Sequence, residues 1–307
     1  MSAALPLHDV LEPRRPPAPV AGAGHVAPKW AAARPERELQ YSRSASERGV
    51  LPCEAPDPGW GAQEPFVAVR PRGQLSWPKT PRLRNAAFDL VVHFHGHRPA
   101  RKELVRSGED LPLLGISLGI GAAYGPPFQD PKAFEAILAS AERHASSRTG
   151  QALHVGRLAL IGWSRGFEAI VQILNQPVGS QVDAVILLDS LHASREPALL
   201  ARGLAPFLHF AQRAVRGERF FFASHSAIDT ADYASTTETV HFLVSSLGGR
   251  PIRVFRRDPL GLELHELFSK GDFHARGYAG NGKLDHCAQF GALPSVLHAL
   301  AKRWQKT

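Results

Sequence analysis

The residues best placed to do chemistry lie in Gly162-Trp163-Ser164-Arg165-Gly166, which spells Gly-x-Ser-x-Gly. The apolar run Leu158 to Ile161 precedes it, and Ile170, Ile173 and Leu174 follow at helical spacing. Strand, tight turn and helix in that order form a nucleophile elbow. A serine at the apex of so strained a turn needs small neighbours two residues away on each side, so that strand and helix can close on one another. The N–H of Arg165 is then placed to donate to an oxyanion, with the helix N-terminus behind it. A chain of this length and composition would contain the pentapeptide by chance roughly 0.15 times. The strand before it and the helix after it therefore carry the inference.

A serine nucleophile needs a base to take its proton, and the base needs a carboxylate to hold its tautomer. The base is expected late, in a loop before a terminal helix. Tyr278-Ala-Gly-Asn-Gly-Lys-Leu-Asp-His286 supplies one, with His274 as its rival twelve residues earlier. Two aspartates compete for the acid. Asp189 closes the apolar run Val-Ile-Leu-Leu, and Asp229 lies just past the next strand, in Ala223-Ser-His-Ser-Ala-Ile-Asp. Asp229 is placed slightly ahead. The second oxyanion donor is expected after the strand at residues 88–94, from the N–H of His97 or of Gly96. His93, His95 and His97 could also be read as metal ligands, but imidazoles at i, i+2 and i+4 of a strand spread over about 13 Å. No metal is expected there, and no motif calls for a cofactor.

These residues must be positioned by a regular framework. Short opening strands are expected at Phe66–Arg70 and Gln74–Trp77, and strong ones at Phe88–Phe94, Arg157–Ile161 and Val182–Leu188. Phe220–Ser224 follows, and Ile252–Phe255 reads as the last strand. Leu111 to Ile120 is a further apolar run. Helical spacing appears at 131–143, 197–215, 235–247 and 294–304. Apolar strands alternating with helices predict an α/β fold, with a mostly parallel sheet covered on both faces. Ligands of such a sheet sit beyond the C-terminal ends of its strands, where the candidate residues fall.

The chain has 307 residues, 44% hydrophobic and 21% charged, the composition of a globular protein. Residues 1–65 hold 11 of the 25 prolines and no sustained periodicity, and read as a flexible extension before a catalytic domain at 66–307. The first ten residues lack a signal-peptide pattern and no apolar run could span a membrane, so cytoplasmic residence is the default expectation. Cys53 and Cys287 are too few for a disulfide framework. The net charge of +8 is scattered, without a basic stripe or interleaved aromatics. That argues against nucleic acid as a partner and suits a small acyl substrate, anionic ones included.

Taken together, strand-His95-Gly96-His97, the elbow around Ser164, a post-strand aspartate and a late histidine resemble the α/β-hydrolase superfamily. The resemblance covers roughly residues 66–304. It implies an eight-stranded, mostly parallel sheet and a Ser164–His286–Asp triad. It also implies serine esterase chemistry on an ester or thioester, and an open site, because the segment 195–216 where members insert a cap is short. The same triad serves amidases, peptidases and acyltransferases. A non-catalytic binding protein of this fold could also retain the elbow.

Overall fold

The computed structural model describes residues 56–257 and 262–306, all of them in one compact unit. Residues 1–55, most of the expected extension, lie outside the described residues. Its last ten, 56–65, pack: Gln63 is buried and bridges Pro78, and the Arg101 guanidinium lies 4.6 Å over the Trp60 ring.

Eleven strands form one sheet, three more than expected. β1 (Val67–Ala68), β2 (Gln74–Ser76) and β3 (Leu83–Arg84) are short. β4 (Ala87–Phe94) leads into helix α1 (His97–Ser107), and β5 (Leu113–Ile116) precedes α2 (Pro131–Thr149). β6 (His154–Trp163), the elbow strand, is followed by α3 (Phe167–Leu174), then β7 (Val182–Leu188) and α4 (Pro197–Val215). β8 (Phe220–His225) and α5 (Thr236–Ser246) come next. β9 (Ile252–Arg257), β10 (Glu263–Lys270) and β11 (Phe273–Tyr278) precede α6 (Lys283–Ala288) and α7 (Leu293–Lys306). The order is β1-β2-β5-β4-β6-β7-β8-β11-β10-β9, with β3 paired to β4. Strands β5, β4, β6, β7, β8 and β11 run parallel, and the rest pair antiparallel at the two ends.

Period-two alternation sorts the core. Leu90, Val92, Phe94, Leu158 and Leu160 face α2, α3, α4 and α5, whose Ile137, Ile170, Phe207 and Leu243 complete one layer. Val91, Ala159 and Ile161 face the opposite way, against Leu104 of α1 and Val296, Leu300 and Trp304 of α7. Covering helices on both faces explain why the central strands read as unbroken apolar runs. The segment after β7 contains α4, which lies on the sheet through Leu204, Phe207 and Phe210.

Ile252–Phe255 is not the last strand. β10 and β11 follow it, and β11 takes the place beside β8 while β9 becomes the outer edge. Phe-His-Ala-Arg-Gly-Tyr hides this strand, since its polar residues alternate with buried ones and it contains a glycine. That glycine is required. A Cβ on Gly277 would sit 2.4 Å from His225 Cε1 on β8. Helix α1 also escaped the sequence reading, because its mean hydropathy is low and only one stripe around Ala100 and Leu104 is apolar.

The turn after β6 is closely packed against β4. A Cβ on Gly166 would lie 2.5 Å from the Phe94 carbonyl oxygen, so α3 approaches β4 only because residue 166 lacks a side chain. Gly166→Ala should cost about 1–3 kcal/mol of stability through overpacking. Gly203→Ala is the control: it lies inside α4 with nothing nearer than 3.9 Å, and should be stabilising by up to about 1 kcal/mol. Urea unfolding of both variants checks the contrast.

Candidate active site

Ser164 has φ 52°, a left-handed conformation rarely tolerated outside glycine. Asp189 (φ 45°) and His95 (φ 72°) share it, so three of the five non-glycine residues of this kind among the described residues stand at the ends of β6, β7 and β4. Each such residue stores about 1–3 kcal/mol and persists only where its surroundings over-determine it. At Ser164 the surroundings include Ser190. Its hydroxyl donates to the Ser164 carbonyl at 2.6 Å and accepts from the Phe167 N–H at 3.2 Å, tying strand end to helix start.

The structure brings Asp189, not Asp229, to His286. Nδ1 of His286 is 2.7 Å from Asp189 Oδ2. A carboxylate only accepts, so Nδ1 carries the proton and Nε2 presents a lone pair. Asp189 is 2% exposed. Its other oxygen accepts from the Ser226 N–H at 2.8 Å and the Thr236 hydroxyl at 2.5 Å. Burial pushes the Asp189 carboxyl up, but the hydrogen bonds from His286, Thr236 and Ser226 outweigh it and hold the pKa at about 2. Asp229 sits out in solvent, 87% exposed at its side chain, and pairs with Arg195 at 3.4 Å. The physical reason is positional: the β8–α5 loop carries Asp229 outward, while the left-handed Asp189 turns its carboxylate under that same loop.

Trp163 links His286 to Ser164. Its ring stacks on His286 with centroids 4.7 Å apart, and its indole N–H donates to the His286 carbonyl at 3.0 Å. His286 thus lies beside the residue that precedes Ser164. It sits within α6, whose start is fixed by the Gly282 N–H donating to Asp285 Oδ2 at 3.0 Å. His274 lies in mid-strand on β11 and bonds Ser269 at 2.9 Å.

The N–H groups of Gly96 and His97 converge on Ser117 Oγ, at 3.0 and 3.2 Å, and His97 Nδ1 meets the same hydroxyl at 2.9 Å. Arg165 occupies the turn after Ser164, its side chain bridging Glu168 at 2.6 Å and the Gly121 carbonyl at 3.0 Å. Glu168 in turn accepts from the Tyr124 N–H at 2.7 Å, so the loop after β5 is clamped to the elbow helix.

The sequence reading missed several residues here. The Ser226 N–H and Thr236 hold Asp189, and Ser190 holds the turn at Ser164. His95, expected only as part of the His-Gly-His loop or as a metal ligand, stacks on Tyr124 at 5.1 Å and packs tilted against Trp163 at 4.7 Å. Burial above all, with the nearby Arg165 guanidinium, keeps His95 below the usual histidine range. Ser190 could have been suspected from its place directly after Asp189; the others are brought in by the fold alone. His93 is buried against Phe290, and burial pushes it down to about 3. With His97 bonded to Ser117, the three strand histidines do not converge. Among the described residues one group has metal-ligand geometry, His225, His241 and Glu266, which the sequence reading did not single out.

No family model and no curated protein matches the chain. Solved structures similar to it include a sugar hydrolase from Lactococcus lactis, 12% identical with TM-score 0.44, covering 80% of this chain and 98% of that one. An esterase from Pyrococcus furiosus is 12% identical with TM-score 0.40, covering 85% and 96%. An esterase from a Rhodococcus species is 12% identical with TM-score 0.38, covering 80% and 99%. No helix among the described residues is long and apolar enough to cross a membrane.

The buried acid has a consequence for acid stability. Asp189 ionises at about pH 2 when folded and at about 3.9 when unfolded. It therefore stabilises the fold above pH 4, by on the order of 2 kcal/mol, and that contribution is lost as pH falls from about 4 to about 2. Asp189→Asn should be less stable near pH 6 and should lose stability less steeply below pH 4. Denaturant midpoints measured across pH 2–6 test this, and equal acid slopes for the two proteins would contradict it.

Proposed function

We propose that this chain is a serine hydrolase that cleaves a carboxylic ester or thioester through an acyl-enzyme on Ser164. One observation carries the reading: His286, stacked beside the elbow, has its Nδ1 2.7 Å from a buried carboxylate. Asp189 holds the Nδ1 proton and stabilises the imidazolium, so Nε2 is the base. It takes the Ser164 proton as Oγ attacks the carbonyl carbon, then returns it to the leaving group. Water activated by the same nitrogen releases the acyl group.

The Arg165 N–H receives the oxyanion from the elbow side, a contribution of roughly 3 kcal/mol per donor. The second donor comes from Gly96 or His97. Their N–H groups now meet Ser117 Oγ, so that hydroxyl must rotate away before they can serve. Preference for esters over amides rests on the superfamily resemblance.

The test is turnover of p-nitrophenyl acetate and its thioester counterpart by the full chain. Ser164→Ala should fall to background, Asp189→Asn should lose roughly 10⁴-fold in kcat, and Asp229→Asn should stay within about twofold of wild type. Equal mild losses at the two aspartates would remove Asp189 from the triad. An inactive but folded wild type would favour a binding protein.

A further inference from the structure

We propose that His225, His241 and Glu266 form a zinc site that ties the end of β8 to α5 and β10, behind the triad acid. The three ligand atoms come from elements far apart in sequence and lie within 4.8 Å of one another. Glu266 Oε2 is 2.5 Å from His241 Nε2 and 3.8 Å from His225 Nε2. Tetrahedral zinc with bonds near 2.0–2.2 Å places its donors about 3.3 Å apart. The observed separations bracket that value, so small side-chain rotations suffice. His₂Glu with a water as fourth ligand is an established zinc donor set. The partly exposed Glu266 leaves solvent access for that water.

Hydrogen bonding fixes which nitrogen of His225 faces the cluster. The Thr237 hydroxyl donates to the Ser226 carbonyl at 2.8 Å, so its oxygen accepts from His225 Nδ1–H at 3.0 Å. Nε2 is then a bare lone pair. It faces a carboxylate oxygen across 3.8 Å, two acceptors with no proton between them. A cation resolves that arrangement.

The backbone is shaped around the cluster. Glu266 stands at a break in register on β10, between residues 264 and 266 in both of its pairings, a device that re-aims a side chain. Gly277 opposite leaves room for the His225 ring. Zinc would take the place of the proton between His241 Nε2 and Glu266, and the ring would then carry its proton on Nδ1. The segments it would join are those that hold Asp189. His225 adjoins Ser226, and α5 opens with Thr236 and Thr237. Zinc binding here is independent of what Ser164 does, and its failure leaves the hydrolase reading untouched.

The test uses the full chain stripped with a chelator and titrated with zinc chloride, with cobalt(II) absorption as an optical probe. Wild type should bind one equivalent at this cluster and melt at higher temperature with zinc. His241→Gln and Glu266→Gln should each weaken that binding at least tenfold and remove the zinc-dependent rise. Glu266→Gln keeps an oxygen to accept from His241 and so preserves the fold, which circular dichroism checks. Equal zinc affinity in wild type and both variants, or no binding in wild type, would leave only a hydrogen-bonded His–Glu–His cluster and overturn the proposal.

Discussion

A carboxylate with almost no exposure to water is the constraint around which this end of the molecule is built. Removing a charge from water costs several kcal/mol unless hydrogen bonds replace the lost hydration. Asp189 receives three: from His286, from the Thr236 hydroxyl and from the Ser226 N–H. Each donor commits a different element. Ser226 follows β8, Thr236 opens α5, and His286 belongs to α6. Losing the carboxylate would leave all three without their shared acceptor. The α5 end is itself fixed by a reciprocal cap, in which Ser235 Oγ accepts from Glu238 N–H and the Glu238 carboxylate accepts from Ser235 N–H.

The same requirement accounts for the strain. β7 must end with its carboxylate turned inward and β6 with its hydroxyl turned outward, so both apex residues take positive φ. Ser190 serves both turns. Its backbone follows Asp189, and its hydroxyl fastens the Ser164 carbonyl. Trp163 then joins His286 to Ser164, stacking on one and preceding the other.

Much of this could be read from the chain alone. The elbow was legible because strand, Gly-x-Ser-x-Gly and helix are contiguous, and each glycine there answers a local steric demand. His286 was singled out from chain order, and the fold sets it against Trp163 and Asp189. The acid was not, because nothing local distinguishes Asp189 from Asp229: what separates them is the burial and the donors that β8 and α5 bring from 37 and 47 residues away. β10 and β11 stayed hidden for a related reason. Their amphipathic pattern and the glycine at 277 make sense only against His225 on the neighbouring strand. The alternating α/β architecture was legible, whereas the antiparallel additions at the sheet ends were not.

The proposed function stands on Ser164 being an activated nucleophile. Reaction of the folded full chain with a fluorophosphonate, followed by intact mass and peptide mapping, tests it most directly. One adduct per chain on Ser164, lost in Ser164→Ala, is the predicted result. A folded wild type that stays unlabelled, or equal labelling of Ser164→Ala, would contradict it.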